Sequence, residues 1–215
     1  MKIVYLIRHA KTVENEKNIY CGQKPGKLSK KGREEAMRLR RYLSNIDYDI
    51  VLTSDLKRAV DTSKIINVRD KRIIKLSLLR ERSLGGLIIK KERYNKIIKN
   101  SKKICEFKFP NGESYIDVLK RVKLFLDYLK NLKCNKILVV SHGRFNKILI
   151  NYLLEKPLCN EIRQENCCVN LIKIGKKVKV EMIYPTKSRI ESELNFCGTC
   201  TNKKIFKIKH NIKGG

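Results

Sequence analysis

Short apolar runs alternate with stretches of helical spacing along most of the chain. Residues 3–7 form a β-branched run of strand length, ended abruptly by Arg8 and His9 in "KIVYLIRHAKTVEN". From Ser29, a plausible N-cap, "SKKGREEAMRLRRYLSN" places Ala36, Leu39 and Leu43 on one helical face. "YDIVLTS" reads as a second strand. "DLKRAVDTSKIIN" follows as a helix with Ala59, Thr62 and Ile66 in register. "RIIKLSLL" is a short strand candidate. Residues 86–109 are lysine-rich and weakly patterned, with a loose helix at "ERYNKIIKN".

Pro110 and Gly112 mark a turn. Beyond it, "SYIDVLKRVKLFLDYLKNL" predicts the strongest helix. Ser114 and Asp117 open it as a capping box, and Val118, Val122, Leu126 and Leu129 line its core face. "KILVVSHGRF" is a strand that ends at a second histidine, His142, and "NKILINYLL" continues as a helix. "CCVNLIKIGKKVKVEMIY" predicts two strands turning at Gly175. The alternation points to one α/β domain over residues 1–185. It has three layers, with helices on both faces of a mostly parallel central sheet. Residues 186–215 read as a basic C-terminal extension.

The chain has 215 residues, enough for one sizeable core. Its apolar runs are too short to span a bilayer or to serve as a secretory signal, so a cytoplasmic protein without membrane partners is expected. Eight scattered cysteines fit reduced thiols better than a disulfide framework. The net charge is +29, from 50 Lys and Arg against 21 Asp and Glu. The lysines are spread through nearly every block of ten, which reads as coding bias more than as a binding patch. A paired-aromatic RNA-binding strand motif is absent, and nucleic acid is disfavoured as a partner.

The chemistry concentrates at strand ends. In α/β sheets, ligands bind beyond the carboxyl ends of the strands. His9 and His142 lie at two such ends, and Arg58 falls in the first turns after a third. Taken singly, a histidine at a strand end is more often structural. Together, Arg8, Arg58, His9 and His142 make a plausible phosphate pocket: arginine forks match phosphate oxygens, and a neutral imidazole can attack phosphorus. Neighbouring cations disfavour protonation of that imidazole.

"LIRHAKTVEN" resembles the signature of the histidine phosphatase superfamily, the phosphoglycerate-mutase-like fold (branch 1), with Arg8, His9, Thr12 and Asn15 in the matching places. "YCGQKPGKLSKKGREEA", "VLTSDLKRAVDTSKII", "LLRERSLGGL", "FPNGESYIDVLKRV", "LVVSHGRF" and "NCCVNLIKI" resemble the family's later blocks in order, over about residues 1–175. The resemblance implies a fold and a set of roles. His9 would be the phosphorylated nucleophile, and Arg8, Arg58 and His142 would hold the phosphoryl oxygens. Glu81 would be the general acid and then the base. Asn15 and backbone near Gly22 would bind phosphate, with Arg82 as a further substrate contact. Glu113 is either structural or a support to the site. No metal and no cofactor are implied.

Departures also stand out. Ala10 replaces the usual glycine, its N–H still being expected to bond the His9 imidazole, and Glu14 replaces a tryptophan. Two activities compete. A phosphatase passes the phosphoryl group to water; a mutase passes it between glycerate hydroxyls. Mutases carry a long insertion with paired arginines before the "Pro-x-Gly" block. Residues 86–109 are short and lack an Arg-Arg pair, which favours a phosphatase of a small phosphorylated metabolite. The motifs also resemble those of broad-specificity phosphatases, α-ribazole phosphatases and the fructose-2,6-bisphosphatase domain. A non-catalytic basic binding protein is the reading from a different class, and a homodimer stays open alongside a monomer. In the tail, Cys197, Cys200 and His210 are three potential zinc ligands where four are needed.

Overall fold

The computed structural model describes residues 1–101, 103–185 and 188–189. The first half holds β1 (Lys2–Arg8), α1 (Val13–Glu16), β2 (Ile19–Tyr20), α2 (Lys30–Leu43), β3 (Ile50–Thr53), α3 (Lys57–Ile66) and β4 (Ile73–Lys75). A 3-10 turn at Ser77–Leu79 follows, then β5 (Ile89–Lys90) and α4 (Lys91–Lys99). The second half holds α5 (Tyr115–Asn131), β6 (Lys136–Ser141), α6 (Gly143–Leu153), β7 (Val169–Ile174), β8 (Val178–Tyr184) and β9 (Ser188–Arg189). Among the described residues, no helix is long and apolar enough to cross a membrane.

The main sheet runs β4-β3-β6-β1-β7-β8-β9. Its β4-β3-β6-β1 half is parallel, while β7, β8 and β9 pair antiparallel. The turn at Gly175 is too short for a crossover, so it enforces an antiparallel β7–β8 hairpin. Alternation sorts the strand side chains into two cores. Val4, Leu6, Ile137 and Val139 join the cluster with Val122 and Phe125 of α5 and Phe145 and Leu149 of α6. Ile7, Leu138 and Val140 join Ala36, Leu39 and Leu43 of α2 and Ala59 and Ile66 of α3. Helices therefore cover both faces, giving three layers. The capping box of Ser114 and Asp117 is present, and Ser29 accepts from the Gly32 N–H.

Sequence pattern and structure part in two places. "RIIKLSLL" stays a strand only to Lys75, then tightens into the 3-10 turn. The lysine-rich stretch holds the expected helix as α4 but also forms β5, which pairs with β2 in a separate two-stranded sheet. Leu84, Tyr94 and Phe109 make a third small core there, with Tyr20, Ile89 and Phe107 packed around it. A two-residue strand carries no readable period, so the β2–β5 pairing left no trace in the hydrophobic pattern. Apart from β9, the basic tail, with its cysteines and His210, lies outside the described residues.

Gly32 is required by close approach. A Cβ there would sit 1.9 Å from the Lys11 carbonyl oxygen, where the start of α2 abuts the chain leaving β1. Gly32→Ala is expected to cost about 2–3 kcal/mol, because backbone must move to admit the methyl group. The urea midpoint reads this; an unchanged midpoint would show that the junction yields freely.

Candidate active site

Register builds the site. In the parallel β1–β6 pair, Arg8 stands opposite Ser141, so the next residue on each strand is a histidine. The His9 N–H donates to the Ser141 carbonyl at 2.9 Å. The two imidazole centroids are 5.0 Å apart, with ring planes at 58°. On the other side of β6, β3 ends at Thr53, and Arg58 enters in the first turn of α3. These ends open into a cavity of 530 Å³ lined by Arg8, His9, Arg58 and Glu81, among others. That volume is within the ~300–1,000 Å³ of small-molecule sites. His142 is fully buried just behind His9.

The protonation pattern of His9 follows from its surroundings. Its Nδ1–H donates to its neighbour's carbonyl, Ala10 O, at 2.8 Å. The expected Ala10 N–H contact to the imidazole is absent, because that N–H donates to Thr62 Oγ1 at 3.0 Å. Thr62 in turn donates to the Arg58 carbonyl at 2.7 Å, tying β1's end to α3. With the proton fixed on Nδ1, Nε2 carries the lone pair. Burial, then the charges of Arg58 and Arg8, lower His9 well below its ordinary 6.5. Burial, Arg58, His9 and Arg8 do the same to His142. Both rings are neutral at neutral pH.

This has a measurable consequence for stability. As pH falls through 6.5, the unfolded chain protonates both histidines while the folded chain resists. Stability is therefore highest above 6.5 and declines on acidification, by about 1.4 kcal/mol per pH unit for each imidazole. Urea melts between about pH 7.5 and 5.5 should show this slope, and replacing both histidines with Asn should flatten it. An equal slope in the doubly substituted protein would assign the acid sensitivity elsewhere.

The arginines are held by backbone carbonyls. Arg58 donates to Gly22 O at 2.7 Å and Lys24 O at 2.9 Å. Gly22 thus positions Arg58, and its φ of 52° in contact with Leu84 N explains the glycine. Arg8 donates to Gln164 O at 2.6 Å, and its buried Nε has no partner among the described residues. Asn15 lines the cavity, but its amide oxygen accepts from Thr12 N–H and Asn166, closing the cap of α1.

Glu81 lines the same cavity. Its Oε1 accepts from Arg82 N–H at 2.8 Å, and both oxygens approach the Arg144 N–H at 3.2 Å, at the start of α6. Glu113 braces this loop from behind. It holds Arg121 in two parallel bonds, at 2.8 and 2.9 Å, and accepts from Ser83 N–H. Arg121 then donates to the carbonyls of Leu78 and Arg80. Glu113 therefore supports the site structurally. Arg82 is 2% exposed. It donates to Glu113 O, Phe107 O and the Tyr94 hydroxyl, and it lies 4.9 Å over the Tyr115 ring. Its guanidinium knits the cavity wall to the third core.

Sequence reading passed over Arg144 and Lys147, which also line the cavity. Their three-residue spacing on one helix face was the available signal, lost in a chain this rich in cations. Glu14 shares the cavity too, with a buried oxygen that lacks a partner among the described residues.

The chain and its fold resemble known proteins. The sequence is 29% identical over 181 residues to the "Probable phosphoglycerate mutase GpmB" of Erwinia tasmaniensis, covering 79% of this chain and 83% of that one. The fold matches Bacillus stearothermophilus YhfR with a TM-score of 0.76 at 24% identity, covering 89% of this chain and 100% of that one. It matches the alpha-ribazole phosphatase of Shigella flexneri with a TM-score of 0.69 at 24% identity, covering 87% and 95%. Residues 4–182 match the histidine phosphatase superfamily (branch 1), and the chain belongs to that family.

Proposed function

We propose that this protein is a metal-independent phosphomonoesterase that works through a phosphohistidine at His9 on a small phosphorylated metabolite. The observation that carries the reading is the state of His9: buried, neutral, with its proton committed to Ala10 O and Nε2 free, between two arginines held by backbone carbonyls. Nε2 attacks phosphorus as the P–O bond breaks, and the Glu81 carboxyl protonates the departing oxygen. The Glu81 carboxylate then takes a proton from water, whose oxygen displaces Nε2 from phosphorus and yields phosphate. Arg8 and Arg58 face the charge that builds on the phosphoryl oxygens. His142 backs the His9 ring from behind, and the start of helix α6 beside it adds its positive end.

A mutase is the second reading, favoured by the name of the Erwinia relative. It uses the same His9 but returns the phosphoryl group to a bound hydroxyl, which requires exclusion of water. One assay separates the two. Purified protein with chelator present is given 3-phosphoglycerate with a trace of the 2,3-bisphosphate, and separately an aryl phosphate. Free phosphate supports the phosphatase. 2-Phosphoglycerate without free phosphate overturns it in favour of the mutase.

A further inference from the structure

Arg144 and Lys147 sit one turn apart on α6, on the wall of the cavity beyond Glu81. Their side chains are only 17% and 18% exposed. The Arg144 guanidinium stacks 4.7 Å over the Tyr115 ring, which fixes its plane. Burial and the neighbouring Arg144 lower Lys147 from its ordinary value, with Glu161 opposing them. Both cations turn to one carboxylate. Glu161, on the loop between α6 and β7, lies 3.3 Å from Arg144 and also pairs with Lys147. Partial desolvation works to raise the Glu161 carboxyl, and the two cations overcome it, holding it below the usual range.

The pairing is lopsided. Two nearly buried cations share one anion whose side chain is 55% exposed. Of the three groups, the loop carboxylate is the solvent-facing one, and so the one placed to move aside. The Arg144 guanidinium cannot follow it, because the Tyr115 ring holds its plane, and Lys147 is anchored beside it on α6 and lines the cavity. The Arg144 N–H also reaches Glu81, so this patch adjoins the proton-transfer group. We infer that Arg144 and Lys147 form a subsite for a second anionic group on the substrate, and that Glu161 occupies this subsite until the substrate displaces it. The inference rests on the reading of the His9 end as the phosphoryl site. It narrows the substrate to molecules that carry a second anion on a short arm beside the phosphate.

Non-hydrolysable probes test binding apart from turnover. Alkyl phosphonates are compared with ω-carboxyalkyl phosphonates of equal length, over a series of lengths, by calorimetry on the full chain. At the best length, the carboxylated probe is expected to bind about tenfold more tightly, the scale of one charge-assisted contact. That ratio should fall toward one when Arg144→Gln and Lys147→Met are combined. It should rise severalfold in Glu161→Gln, which removes the competing charge while leaving both cations in place. Equal affinity for both probes at every length in the wild type overturns the subsite, as does a lower ratio in Glu161→Gln. Failure of either probe to bind overturns it together with the phosphoryl-site reading. Selective binding without phosphate release from any ester supports the subsite while sinking the phosphatase reading.

Discussion

The His9→Ala protein should release phosphate from a phosphomonoester roughly 10⁵-fold more slowly than the wild type, or not measurably at all. The loss is large because the cavity offers no substitute in position. The Cys21 thiol lines it, but burial pushes that thiol up, away from the reactive thiolate. The Thr12 hydroxyl accepts from Asn15 in its cap. His142 is fully buried and lies behind His9. Alanine removes one internal hydrogen bond, to Ala10 O, and leaves the arginines on their carbonyls. The variant should therefore fold and still bind phosphate. Radiolabelled substrate provides the second readout. Wild type quenched during turnover should carry acid-labile, base-stable label, as a phosphorus–nitrogen bond requires, and His9→Ala should carry none. Label retained in His9→Ala would place the covalent step elsewhere.

Glu81→Gln should lower turnover of an alkyl phosphate by about 10²–10⁴-fold. Glutamine keeps the shape, and its amide oxygen can still accept from the N–H groups of Arg82 and Arg144. What it lacks is a proton to give. The loss should therefore depend on the leaving group. A dinitrophenyl phosphate expels a stable phenolate and needs no acid, so its first step should remain fast. Water attack on the phosphohistidine still needs a base, and the variant should show a burst of phenolate followed by slow turnover. Equal losses for both esters, with no burst, would limit Glu81 to holding the start of α6.

The positions of these residues were legible in the sequence to different degrees. Strands β1, β3 and β6 are runs of β-branched residues that stop at polar ones, so the positions of His9, His142 and Arg58 at one edge followed from periodicity and the strand-end rule. Ser114 and Ser29 announced their helices through side chains that cap locally. The direction of the Ala10 hydrogen bond was not legible, because it depends on where Thr62 lies in space. Arg82 was equally hidden: its partners come from residues 94, 107 and 113, and no local pattern links them. Arg144 and Lys147 were masked by abundance, since in a chain with 50 Lys and Arg another pair carries no information until burial is known. The β2–β5 pair was too short for any period to show.

The third hydrophobic cluster gives the cap over the cavity, formed by β2, β5 and α4, a small core of its own. Leu84, Tyr94 and Phe109 form a cluster apart from the two large ones, joined to the first through Tyr94 and Tyr115, and a small core opens at lower free energy than a large one. Amides of β5 and α4 should exchange with solvent deuterons well before those of β1 and β6. The strand ends that hold His9 and His142 would then keep their geometry while the wall around them breathes. Admission of substrate and accuracy of catalysis are thereby assigned to separate folding units, and drift in the cap sequence can retune the first while β1 and β6 preserve the second.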